Sequence, residues 1–131
     1  MVARQRRVVQ PAVTGDASRA GRMPAMPAAP SASSAPLVVM KFGGSSVADA
    51  DRIRRVAGRI ARERASGSDI VVVVSAMGDT TDELLALAAA ITDDPAPREL
   101  DMLLGTGEHQ SATLVSMALH ALGVDAISLT G

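Results

Sequence analysis

The 131-residue chain is 47% hydrophobic but 1% aromatic, and its net charge of −1 divides into +4 over residues 1–36 (five Arg, one Asp) and −5 over residues 37–131 (eight basic, thirteen acidic groups). An acidic folded part whose only Phe, Tyr or Trp is Phe42 has neither the basic footprint nor the stacking faces that nucleic acid binding needs, which leaves small molecules as the expected partners. The absence of cysteine excludes disulfides and thiolate metal sites and fits a reducing, cytoplasmic setting; no run approaches the roughly 18 apolar residues of a membrane helix, so no membrane partner is expected.

Residues 1–36 combine Arg4, Arg6, Arg7, Arg19 and Arg22 with many Ala, Pro and Ser and no apolar period, and are expected to be a disordered extension. Their prolines break the amphipathic helix of an organellar transit peptide, and no apolar h-region follows the basic start as a secretory signal requires. The remaining 95 residues make one small domain, a length at which an α/β sheet is marginal alone.

Order is expected from Leu37, where a short apolar run ends in Lys41 and Phe42 before Gly43-Gly44 and reads as a buried strand. From Asp49 to about Ala65, Ile53, Val56, Ala57, Ile60 and Ala61 recur at helical spacing while Arg52, Arg55, Arg59 and Arg62 fall on another face, an amphipathic helix ending near Gly67. Ile70–Val74, five β-branched residues in a row, predicts a parallel strand covered on both faces, closing a βαβ unit.

Thr80 with Glu83 three residues later is a capping-box pattern for a second helix carried by Leu84, Leu87, Ala88 and Ile91 and stopped by Pro95. A helical stretch restarts at Arg98 and is expected to break at Gly105 and Gly107, resume over Ser111–Leu122 and end on Gly123 as a C-terminal cap. Ala126–Leu129 predicts a third strand. The whole reads as α/β with a mainly parallel sheet.

Three stretches are candidates for chemistry. Residues 41–46, Lys-Phe-Gly-Gly-Ser-Ser, lie at the carboxyl end of the first strand, where α/β sheets bind ligands. Glycines there let backbone N–H groups approach an anion, and Lys41 adds a positive charge. The lysine precedes the glycines, so this is not a Walker A loop, and no G-x-G-x-x-G occurs. On the residues alone the stretch is either a phosphate cradle or a tight turn with a solvated lysine.

Residues 75–81, Ser-Ala-Met-Gly-Asp-Thr-Thr, end the second strand on the same sheet edge and offer hydroxyls and backbone donors; Thr80 either binds or only caps a helix. Glu108, in Gly105-Thr106-Gly107-Glu108-His109, either holds a substrate ammonium or sits as a favourable charge at a helix N-terminus. The two histidines, His109 and His120, are eleven apart and form no helical metal pair, so no metal ligand is assigned.

The stretches KFGGSSVADADRI, IVVVVSAMGDTTDELL, RELDMLL, TGEHQSA and SLTG, in this order, resemble the successive N-terminal motifs of the aspartokinases, over Leu37 to Gly131. The resemblance implies the three-layer αβα sandwich of the amino acid kinases, incomplete in this chain. It also implies ATP-dependent phosphorylation of the L-aspartate side-chain carboxylate to 4-phospho-L-aspartate, the first step towards lysine by way of diaminopimelate, threonine and methionine.

By carry-over, Lys41 is the catalytic residue that meets the phosphates, Gly43, Gly44 and Ser45 shape the anion pocket, and Ser75, Thr81 and Glu108 bind aspartate, Glu108 through its ammonium. The resemblance further implies that Mg²⁺ arrives with ATP and that the full-length enzyme is a homo-oligomer. His109 and Gln110 stand where many relatives have Arg or Gln followed by an aliphatic residue. The family's nucleotide-binding second half lies beyond Gly131, so this chain is expected to be inactive alone. The alternatives are another amino acid kinase or a non-catalytic remnant that pairs with intact kinase subunits.

Overall fold

The computed structural model describes residues 2–3 and 35–130, with a core of two strands under two packed helices. In chain order the elements are β1 (Val2–Ala3), β2 (Leu37–Phe42), a 3₁₀ turn (Gly44–Ser46), α1 (Ala50–Ala65), β3 (Asp69–Val74), α2 (Thr80–Ile91) and α3 (Pro97–Ala121). The sheet order is β1-β3-β2. β2 runs parallel to β3, Leu37 opposite Asp69 through Phe42 opposite Val74, and β1 pairs antiparallel at Val71 and Ile70. That two-residue strand falls within the leader read as disordered; residues 4–34 lie outside the described residues.

Alternation decides the sheet faces. Val38, Met40 and Phe42 of β2 and Ile70, Val72 and Val74 of β3 turn towards Ile53, Val56, Ala57 and Ile60 of α1 and Val115 and Leu119 of α3. On the opposite face Leu37, Val39 and Val73 are 65%, 64% and 48% exposed. β3 is therefore covered on one face only: its uninterrupted β-branched run suits two covering layers, and the described residues supply one. The architecture is α/β with two of the three expected layers.

α1 forms as its pattern predicts. Asp49, in extended conformation, caps it by accepting the Arg52 N–H at 2.8 Å, and Arg64 ties its far end to β3 through Asp69 at 3.1 Å and the Ser68 carbonyl at 2.8 Å. α2 departs from its pattern. The capping box does not form: Asp79 is the N-cap, without a side-chain bond, and Thr80 is already helical. The chain enters α2 through a turn in which Gly78 has φ +47° and the Thr80 N–H donates to the Met77 carbonyl at 2.9 Å; the Glu83 N–H, the donor a capping Thr80 hydroxyl would take, goes to the Asp79 carbonyl at 3.0 Å. α2 ends at Ile91, before Pro95, and Leu87 and Ile91 of its supposed apolar stripe are exposed.

α3 is one continuous helix of 25 residues with Gly105 and Gly107 inside it, where the sequence predicts a break. Its burial of Ala112, Val115 and Leu119 outweighs the cost of about 1 kcal/mol that each glycine brings to a helix interior. The helix ends as expected: Gly123 takes φ +73°, its N–H donates to the His120 carbonyl at 2.9 Å, and the Val124 N–H reaches the Leu119 carbonyl at 3.0 Å, a Schellman closure. The third strand is not formed; residues 126–129 make a single bridge, at Ile127. No described helix is long and apolar enough to cross a membrane.

Candidate functional site

All three candidate stretches meet at the carboxyl end of β2 and β3. The Ser75 N–H donates to the Phe42 carbonyl at 3.1 Å, and the Gly78 N–H to the Gly44 carbonyl at 3.2 Å, so the 3₁₀ turn after β2 and the loop after β3 are bonded main chain to main chain. Contact there is too close for side chains: a Cβ on Gly44 would stand 2.7 Å from the Ala76 carbonyl oxygen. On the other side of Ala76, a Cβ on Gly107 would stand 2.8 Å from the Ala76 Cβ. The buried Ala76 is thus wedged between the turn and α3, and its N–H donates to Glu108 Oε1 at 3.3 Å.

That bond changes the reading of Glu108. It lies in mid-helix, so it does not serve as a charge at a helix N-terminus. One carboxylate oxygen is held by Ala76; the other has no partner among the described residues, and Glu108 lines a cleft of about 590 Å³ with Asp101, Gly105, His109, Leu129 and residues 72–74. Two carboxylates in one cleft suit a cationic group.

The other candidates stand around this junction without sharing that cleft. Lys41, exposed, lies on the open sheet face opposite Val73 and lines a separate cleft of about 330 Å³ with Val39, Arg59 and Glu63; its ammonium makes no hydrogen bond or ion pair among the described residues. Gly43 has open space where a Cβ would point, whereas Gly44 is packed. Ser45 is exposed on the turn, Ser75 half-buried at the end of β3, and Thr81 exposed in the first turn of α2.

Two contributors escape sequence reasoning. Ala76 carries no chemical group, and only its place in a run of small residues between glycine contacts betrays it. Arg52 looks like one more charge on a solvated helix face, yet its Nη1 donates to the Ser45 carbonyl at 2.5 Å while its Nε pairs with Asp49 at 3.2 Å. The Asp-x-x-Arg spacing at a helix start is the available signal, because residues three apart share a face.

Comparison with known proteins follows the same outline. Residues 36–131 match the amino acid kinase family. Over 95 residues, 72% of this chain, the sequence is 62% identical to an aspartokinase of Mycolicibacterium smegmatis, 59% to that of Corynebacterium glutamicum and 54% to aspartokinase 2 of Bacillus subtilis. The chain spans 23% of the length of each of these relatives. Its structure superposes on a crystal structure of aspartate kinase from Synechocystis with a TM-score of 0.70 at 54% identity, covering 72% of this chain and 16% of that one. The chain belongs to the amino acid kinase family, and within it is similar to the aspartokinases.

Proposed function

We propose that residues 37–131 are the N-terminal part of the catalytic domain of a cytoplasmic, homo-oligomeric aspartate kinase, which transfers the γ-phosphoryl group of MgATP to the side-chain carboxylate of L-aspartate. The observation that carries this reading is the junction at Ala76, which draws the Lys41–Ser46 turn, the Ser75–Thr81 loop and Glu108 to one end of the sheet.

The residues present suit the two substrates. Open space above Gly43 lets a phosphate approach the backbone, and the N–H groups of Gly44 and Ser45 donate to nothing among the described residues. Lys41, unpaired at the end of β2, brings the charge that offsets repulsion between two anions. On the aspartate side, the unclaimed oxygen of Glu108 takes the ammonium, and the hydroxyls of Thr81 and Ser75, outside the Glu108 cleft at the same end of the sheet, serve the rest of the substrate. When bound, MgATP supplies the phosphoryl group and the metal charge; the aspartate carboxylate, ionised at neutral pH, needs no general base.

The test is aspartate-dependent ADP formation by the product of the full-length reading frame. Lys41→Ala is expected to lower kcat by about 100-fold or more, as for loss of a charge-stabilising donor, and Glu108→Gln to raise the KM for aspartate about tenfold with a smaller effect on kcat, the mark of lost ground-state binding. Turnover with glutamate or carbamate in place of aspartate would replace this reading by another amino acid kinase, and wild-type kcat in Lys41→Ala would remove the lysine from the chemistry.

A further inference from the structure

The arginine row of α1 is used by none of the chemistry above. Arg52, Arg55 and Arg59, with Ser45, Ser46 and Phe42, line a cleft of about 450 Å³ behind the 3₁₀ turn. Its charge is unbalanced. Asp49 is the only acid paired into it among the described residues, and both its oxygens are taken up by Arg52. Arg55 has no hydrogen bond or ion pair among the described residues, and the Arg59 guanidinium has only the face of the Phe42 ring, 5.9 Å from its centroid. Two arginines with their donor forks unspent therefore line one concavity, in a domain that is otherwise acidic.

Spacing adds to this. Arg55 and Arg59 are one turn apart, with Cβ atoms about 5–6 Å apart, and like charges at that spacing repel. An anion between them relieves the repulsion and receives the planar, forked donors that match phosphate geometry. The serine hydroxyls add neutral donors at the rim, and Phe42 and Val56 give the cleft an apolar floor.

We propose that this cleft binds a small, multiply charged phosphate, a diphosphate group or its ester, independently of Lys41 and Glu108. It shares Ser45 with the residues assigned above to the nucleotide, and Arg59 and Phe42 with the separate cleft that Lys41 lines; it does not rest on that assignment. Because Arg52 holds the Ser45 carbonyl, an anion seated here acts on the turn from behind.

The test is titration of the chain with sodium pyrophosphate at constant ionic strength, followed by calorimetry and thermal unfolding, with far-UV circular dichroism to check each variant's helix content. Saturable binding and a rise in Tm are expected. The double variant Arg55→Gln, Arg59→Gln should weaken binding at least about 30-fold, the loss of two charge-assisted forks, and should gain Tm without pyrophosphate as the repulsion is removed. Arg54→Gln, on the same helix but paired with Asp51, should bind within about twofold of wild type, and the binding left in Lys41→Ala should still be lost on adding Arg55→Gln and Arg59→Gln. Absence of saturable binding, an equal Tm rise with chloride, or binding that survives the double variant and disappears in Lys41→Ala would each overturn the proposal, the last by placing the anion at the glycine turn.

Discussion

Gly105 and Gly107 stand two apart in α3 and carry the same cost of helix propensity, yet their surroundings are opposite. A Cβ on Gly107 would press to 2.8 Å on that of Ala76, while one on Gly105 would meet nothing within 4 Å. Replacing glycine by alanine in a helix gains about 0.5–1 kcal/mol, and forcing an extra carbon into a packed contact costs about 1–3 kcal/mol. Gly105→Ala is expected to stabilise the fold and Gly107→Ala to destabilise it, a difference in sign that urea unfolding of the two variants reads directly. Gly107 is thus a packing residue, while Gly105 lines the cleft that holds Glu108 and leaves it open.

At the scale of elements, α1 is the keystone of the core, and Ile60 is fully buried within it. Ile60→Ala is expected to cost about 2–5 kcal/mol, a large share of a small domain's stability, visible as a lower urea midpoint with an unchanged slope. The elements legible in the sequence are those whose signals are local: the apolar run of β2, the α1 stripe with Asp49 at its head, and the β-branched run of β3. What stayed hidden depends on partners far along the chain. The continuity of α3 rests on burial against α1 and the sheet, the start of α2 on the turn at Gly78, and a strand at 126–129 on a neighbouring edge that its own residues do not specify. The site followed the same division. Lys41, the glycines and Glu108 were legible as chemical types, but Ala76 and the hold of Arg52 on Ser45 are contacts, and contacts carry no composition.

Across the whole molecule the apolar surface is lopsided. Leu37, Val39 and Val73 lie bare on one sheet face, and Ile91 of α2 and Met102 of α3 are likewise exposed. Exposed apolar side chains on a sheet face favour association. The double variant Val39→Thr, Val73→Thr keeps β-branching while adding hydroxyls, and is expected to shift the protein towards monomer in sedimentation velocity, with little change in Tm. The two walls of the site are unequal too. One is braced: Arg52 grips the Ser45 carbonyl and the helix cap together, so the turn rides on α1 as a rigid bracket. The other begins at Asp79, whose side chain makes no hydrogen bond among the described residues, and it is tied to the first through the Gly78 N–H on the Gly44 carbonyl. The gap between them thus has one wall pinned by side chains and one pinned by main chain, and the second carries Thr81.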